Sequence, residues 1–227
     1  MTAPRSRYAL KPDPHSSHSV ILRWLGDGRG RRLLDVGAAD GLLSRGLTER
    51  GWRVTGLEKE PAAAAAGARY CERMIVADLD RGLAEVGGPF DAIVYADVLE
   101  HLADPAAGLA YVARDLAPGG DVILSVPNVA HLWMRLSLLA GRFQYGPRGI
   151  LDDTHLRFFT ERSLRALVAA AKLAVVRTTA TPVPLYQVVP ARWHGRPLAA
   201  LHAASALAAR ALPRLLGYQL LVHARRA

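Results

Sequence analysis

An α/β fold built on a mostly parallel sheet is predicted by three observations. Short apolar stretches alternate with helical ones at the spacing of βαβ units. The stretches themselves, "RRLLDVG", "MIVADL" and "FDAIVYAD", are near-continuous apolar runs, as strands become when helices cover both faces of a sheet. The first of them runs into a glycine turn and then a helix, the opening of a doubly wound sheet.

Each element follows in order. Residues 16–25 form a helix with serine near its start. The strand over 31–37 leads into a helix over 42–51, whose terminal glycine suits a C-cap. "WRVTGLE" is a strand, "PAAAAAGARY" a helix with proline in its first turn, and "MIVADL" and "FDAIVYAD" are strands. "DPAAGLAYVARDLAPGG" is expected to be one helix, with Asp104 as N-cap and "PGG" as its stop. "DVILSVPN" follows as a strand. After Pro127 the alternation breaks, and 128–159 form an insertion. A helix starts at Thr160, "AVVRTT" is a strand, and 182–197, with four prolines, form a loop. An alanine-rich helix and a last strand, "YQLLVHARR", close the chain.

With 227 residues, 51% of them hydrophobic, the chain can bury one substantial core. The expectation is a single domain over 1–227, with 1–19 as an N-terminal lid or tail, 128–159 as a substrate-side insertion and 181–217 as a loop and helix before the last strand. No apolar run reaches the roughly 18–20 residues that span a bilayer. The N-terminus lacks the apolar centre of a signal peptide. One cysteine, Cys71, excludes an internal disulfide framework. Together these features point to a cytoplasmic protein. The net charge of +9 is uneven: residues 31–130 carry 10 basic and 15 acidic side chains, residues 181–227 six basic and none acidic. Basic ends suit an anionic partner; the scarcity of lysine beside abundant arginine and alanine is equally what a GC-rich genome produces.

The strongest chemical signal is "LLDVGAADG", residues 33–41. A strand enters Gly37-Ala38-Ala39-Asp40-Gly41 and then a helix, with Glu58 closing the next strand 21 residues beyond Gly37. Such a turn places backbone N–H groups and a helix N-terminus at a ligand's anionic group, and the acid can take both hydroxyls of a ribose. A dinucleotide fold is one candidate. Against it, the spacing is G-x-A-x-G, the third glycine of the dinucleotide pattern falls on Leu42, and Asp35 suits a ligand amino group better than a pyrophosphate.

On these residues the sequence resembles the class I S-adenosylmethionine-dependent methyltransferases, a Rossmann-like family. Their acid-x-G-x-G-x-G run is matched by Asp35, Gly37, Ala39 and Gly41, with alanine in place of the middle glycine. "VADLD" matches the next motif, and "FDAIVYADVLEHLADP" with "LAPGGDVILSVPN" resembles the fourth and fifth strands of the subfamily that includes the ubiquinone-pathway O-methyltransferases. The resemblance covers about residues 20–180. It implies a seven-stranded sheet with an antiparallel last strand and S-adenosylmethionine as cofactor. The cofactor residues it implies are Asp35, Gly37, Ala38, Ala39, Gly41, Glu58, Lys59, Asp78, Leu79 and Ala96. Of these, Asp78 would take the adenine amino group and Leu79 would lie beside the ring. No metal ligand set is assigned.

The stretch "GILDDTHLRFFT", residues 149–160, concentrates hydrogen-bonding groups beside large rings. "DDTHLRFFT" resembles a segment of methyltransferases near polysaccharide and secondary-metabolite pathways, which implies a place in the wall facing the transferred methyl group. His155 is the first candidate base, because imidazole titrates near neutral pH. Asp153 and Asp97 follow, then His101 and His131. The competing roles are structural: Asp152 or Asp153 capping the local turn, His101 bonding within its own loop, Phe158 or Phe159 in the core.

The implied activity is methyl transfer to a small molecule, with a hydroxyl of a sugar, glycan precursor or quinone-like metabolite as acceptor. An anionic acceptor suits the basic ends. Two other classes compete. A nucleic-acid methyltransferase would use the charge, but "ADVLEH" is not the N/D-P-P-Y/F motif used on base amines. A non-catalytic cofactor-binding protein would keep the loop alone. Residues 196–217 carry arginines, no acid and a broad apolar face, compatible with peripheral membrane contact, with a cover for the sheet, or with a dimer contact; the chain is expected as a monomer or homodimer. The N-terminal Tyr8, Lys11, His15 and His18 belong to the lid reading.

Overall fold

The computed structural model describes residues 13–227. Its centre is β1 (Arg32–Val36), where every residue after the first is buried. β1 runs parallel to β2 (Arg53–Glu58) on one side and to β4 (Phe90–Ala96) on the other. β3 (Arg73–Val76) and β5 (Leu116–Pro127) extend the parallel sheet outward. β7 (Gln219–Arg226) inserts antiparallel between β5 and β6 (Leu173–Thr181). The order β3-β2-β1-β4-β5-β7-β6 places the topological switch between β1 and β4, where doubly wound sheets bind ligands at the carboxyl ends of their strands.

Helices cover both faces, and the period of two along the strands sorts side chains between them. On one face Leu34, Val36, Ile93, Tyr95, Val122 and Leu124 meet α5 (Ala110–Asp115) and α7 (Glu161–Ala170) through Tyr111, Val112, Leu164 and Val168. On the other, Leu33, Ala92, Val94 and Ile123 meet α1 (Ser17–Leu25) and α2 (Leu42–Thr48) through Ile21, Leu25, Leu43 and Leu47. Each fully buried leucine or isoleucine contributes about 1.5–3 kcal/mol relative to exposure.

Helix starts follow capping chemistry. The Ser16 side chain accepts from the Ser19 amide, and Thr160 and Ser163 form a reciprocal capping box. α3 (Pro61–Gly67) has proline in its first turn and continues as a tight turn over Ala68–Tyr70. The single helix expected over 104–120 is two: α4 (Pro105–Gly108) and α5, meeting at Leu109. Leu116 is already strand, buried against the sheet and paired with Phe90. Pro118 has no N–H to continue a helix and Gly119 is left-handed, so 117–120 bulge out before Asp121 pairs with Ala92. The proline-rich 182–197 loop holds two short helical turns, α8 (Leu185–Val188) and Ala191–Trp193.

The insertion is closed at its base. Asn128 bridges to Phe159, and its side-chain amide donates to the Gly217 carbonyl at 2.8 Å. Inside it, α6 (Leu132–Leu139) buries only Met134 and leaves Trp133, Leu136 and Leu139 exposed. α9 (Arg196–Ala211) packs on β6 and buries Leu198, His202, Ala206 and Ala209, while Leu201 and Leu207 face solvent. It therefore covers the sheet. α10 (Pro213–Leu216) turns the chain into β7. No helix among the described residues is long and apolar enough to cross a membrane. Tyr8 and Lys11 lie outside the described residues.

Candidate active site

The turn after β1 is built from left-handed residues. Gly37, Ala39 and Gly41 have φ of 72°, 48° and 79°. At Gly37 the conformation and the space both require glycine, since a Cβ would stand 2.5 Å from the Val98 Cγ2. Val98 belongs to the loop after β4, so this glycine lets the two loops at the switch point close on each other. Ala39 carries a Cβ where the backbone is left-handed, a cost of roughly 1–2 kcal/mol. The turn tolerates it because the Ala39 amide donates to Glu58 Oε2 at 2.9 Å. Glu58 Oε1 accepts from the Glu60 amide at 2.9 Å, and the Leu57 carbonyl accepts from Gly37 and Ala38.

Glu58 is buried with two of its four lone-pair directions used on backbone. Asp35 lies beneath the turn, 1% exposed, with the Ser44 hydroxyl donating to Oδ2 at 2.6 Å. Burial pushes its carboxyl up to about 6 against the pull of Ser44. It braces the loop from below and does not present an open carboxylate, as the amino-group reading expected of it. Ala38 is buried, Lys59 is exposed on the rim, and Asp78 and Leu79 are half-buried where β3 ends. Asp78 caps the turn Leu79–Arg81 by accepting from the Asp80 amide. Bare left-handed backbone, a closely approached glycine and flanking acids at the ends of β2 and β3 form a cradle that fits the cofactor implied by the sequence.

Opposite this cradle, the strand ends of β4 and β5 bring the candidate acceptor groups together. Ala96 ends β4, and Asp97 follows with φ 57°, a strained position for a non-glycine residue. Ser125 Oγ donates to Asp97 Oδ1 and Gln219 Nε2 to Oδ2, both at 2.7 Å. The carboxylate is thus fixed by β5 and β7. His18, half-buried near the start of α1, interacts electrostatically with Asp97 and Asp40, although burial outweighs them and lowers its pKa.

The tight turn Leu99–His101 carries Glu100 and His101. Residues Leu156 and Arg157 of the insertion donate their amides to the Glu100 carbonyl at 2.8 and 2.9 Å, drawing the two segments together. His101 Nδ1 lies 3.2 Å from the Thr154 carbonyl, so its bond is to the insertion and not within its own loop. His155, 9% exposed, has Nδ1 3.0 Å from the Ile150 carbonyl. The His101 and His155 rings meet edge to face, centroids 4.8 Å apart. Glu100 is 1% exposed, both carboxylate oxygens lack a hydrogen-bond partner, and burial drives its pKa well up.

The two aspartates of the insertion part company. Asp153 is exposed, and its side chain bonds to no other described residue. Asp152 is buried, accepts from the Thr154 amide and hydroxyl, and feels both histidines. The structure brings Asp152, not Asp153, to His155, because Asp152 caps the turn that precedes the histidine. His131 is a helix cap: its Nδ1 accepts from the Trp133 amide. Phe159 is core, whereas Phe158 joins Phe143, Tyr145 and His155 in an aromatic cluster. Sequence reasoning missed Ser44, Ser125, Gln219 and Glu100. Only Glu100, beside His101, stood next to a residue with a chemical signal.

Residues 11–178 match the family described as "Methyltransferase domain". A ubiquinone biosynthesis O-methyltransferase of Alkalilimnicola ehrlichii is 39% identical over 114 residues, 48% of this chain and 46% of the relative. One from a Caulobacter species is 32% identical over 170 residues, 69% and 67% of the two chains. The chain thus spans about half to two thirds of the length of these relatives. Among solved structures, magnesium protoporphyrin IX methyltransferase from Synechocystis with bound SAH superimposes with a TM-score of 0.62 at 17% identity, covering 93% of this chain and 82% of that one. An S-adenosylmethionine dependent methyltransferase from Mesorhizobium loti gives 0.61 at 20% identity, covering 93% and 98%. At these identities the two structures speak for the fold, and the matched sequence motifs speak for the chemistry. The chain belongs to the class I S-adenosylmethionine-dependent methyltransferases.

Proposed function

We propose that this enzyme methylates a hydroxyl of a small molecule held between the loop after β4 and the 128–159 insertion. The observation that carries this reading is the convergence of Asp97, Glu100, His101 and His155 on the acceptor side of the β1 turn. The names of the sequence relatives, O-methyltransferases of ubiquinone biosynthesis, support oxygen as the methylated atom. A sugar, glycan precursor or quinone-like ring fits a wall in which Phe143, Tyr145 and Phe158 supply apolar surface beside histidines.

Gly37, Ala38, Ala39, Gly41 and Glu58 hold the cofactor, with Asp35 bracing the turn beneath them and Lys59, Asp78, Leu79 and Ala96 around them. Bound there, it supplies an electrophilic methyl carbon on a sulfonium. The protein's share is alignment, for which orientation effects reach roughly 7–11 kcal/mol. Asp97, fixed by Ser125 and Gln219, orients the acceptor hydroxyl. Because a carbonyl only accepts, the Ile150 contact fixes the proton of His155 on Nδ1 and leaves Nε2 as the basic atom for the acceptor proton. A positioned base of this kind contributes about 10²–10⁴-fold.

The test is transfer of label from methyl-labelled cofactor to a panel of hydroxylated acceptors, with His155→Ala as the variant. Labelled O-methyl product from the wild type, at least a hundredfold less from the variant and cofactor affinity within severalfold support the reading. Label in RNA but in no small molecule overturns it.

A further inference from the structure

We propose that Glu100, His101 and His155 form a binding site for one divalent transition-metal ion. The inference shares its residues with the acceptor side of the function proposed above and replaces one role there, since a His155 whose Nε2 holds the ion no longer takes the acceptor proton; its test needs neither cofactor nor acceptor.

One potential ligand atom from each of the three lies within 4.8 Å of the others, and among the described residues this is the one such group. Two histidines with one carboxylate is the donor set of zinc, iron and manganese sites, whereas magnesium and calcium take oxygen ligands. Metal bonds of about 2.0–2.2 Å in tetrahedral geometry bring ligand atoms to roughly 3.5 Å of one another. A side-chain adjustment of about an ångström therefore closes the site.

The hydrogen bonding is that of a prepared site. Metal-binding histidines donate their second ring nitrogen to a carbonyl or carboxylate. Here His155 Nδ1 donates to the Ile150 carbonyl, and His101 Nδ1 donates to the Thr154 carbonyl and hydroxyl oxygen. Carbonyls cannot donate, so in both rings Nε2 keeps its lone pair. The Thr154 hydroxyl in turn donates to Asp152 Oδ1 at 2.7 Å, a second layer that fixes the first.

Glu100 supplies the independent observation. A carboxylate 1% exposed with both oxygens unpartnered is costly to bury, and buried charges are paired or coordinate metals. Among the described residues no arginine or lysine bonds to it. Asp97, three residues earlier, is not in the group; its oxygens are engaged by Ser125 and Gln219. The ion would join the β4 loop to the insertion, which supplies His155.

The test is calorimetric titration of the metal-free full-length chain with Zn²⁺, Co²⁺ and Mg²⁺, without cofactor or acceptor. One equivalent of Zn²⁺ or Co²⁺ should bind with a Kd in the micromolar range or tighter, and Mg²⁺ should not. E100Q, which keeps the side chain's shape, and H155N should each weaken Co²⁺ binding at least tenfold while leaving cofactor affinity within twofold. Absence of saturable binding, or binding unchanged in both variants, overturns the proposal. Should a variant fail to fold, the visible spectrum of the wild-type Co²⁺ form decides. Intense bands of a four- or five-coordinate ion support the site, and the weak spectrum of an octahedral hydrated ion overturns it. Metal binding without methyl transfer to any hydroxyl would sink the proposed function and leave this site standing; methyl transfer by metal-free enzyme with no metal affinity would do the reverse.

Discussion

The Ala39 amide and the Glu58 carboxylate, 2.9 Å apart, hold the β1 turn in a left-handed conformation that alanine adopts at a cost. The bond ties the turn after β1 to the end of β2, beside the Leu57 carbonyl that accepts from Gly37 and Ala38. Replacing Ala39 by glycine removes the Cβ strain but adds unfolded-state freedom, so A39G should gain a net few tenths to 1 kcal/mol in urea unfolding. Gly37→Ala should do the opposite. Its Cβ would collide with Val98, and a loss of about 2 kcal/mol or more, with at least tenfold weaker cofactor binding, is expected. Equal stabilities for wild type and both variants would mean the turn is not strained.

Buried Asp35 gives a pH dependence with a defined sign. Its folded pKa of about 6 lies above the value of roughly 3.9 for an unfolded aspartate, so between those values the folded chain binds more protons. The cost of burying the charged form is fully present above pH 6 and is relieved as pH falls towards 4. Asp35→Asn removes this titration. The stability of wild type relative to D35N should rise by about 1–1.5 kcal/mol between pH 7.5 and pH 5 in urea denaturation. A constant difference across that interval would place the carboxylate in contact with water.

Asp97 is expected to act through its charge. Asparagine tolerates the left-handed backbone and can still bond Ser125 and Gln219, so D97N should keep its melting temperature within a few degrees. Turnover should fall at least a hundredfold, with cofactor affinity unchanged. Gln219→Leu leaves Oδ2 without its donor, and a smaller loss, about tenfold in kcat, is expected. Unaltered turnover in D97N would remove Asp97 from the acceptor site.

Much of the architecture was legible in the sequence because it rests on local rules. Apolar runs marked β1, β2, β4 and β5, serine, threonine and Asp104 marked helix starts, and the glycine turn marked the switch point. The split of the expected 104–120 helix was not legible, because Leu116 leaves the helix for a burial partner, Phe90, that lies 26 residues away in the chain.

The family, the order of the strands and the glycine turn proposed to hold the cofactor were written locally, since a left-handed backbone and a close approach both demand small residues at set positions. Which groups face one another was settled by packing in space. Packing of the insertion on the β4 loop chose Asp152 over Asp153, tied His101 to Thr154 and left Glu100 buried among histidines. The antiparallel entry of β7 delivered Gln219 to Asp97 across 122 residues. Such partnerships depend on where strands end in space, and no spacing along the chain encodes that distance.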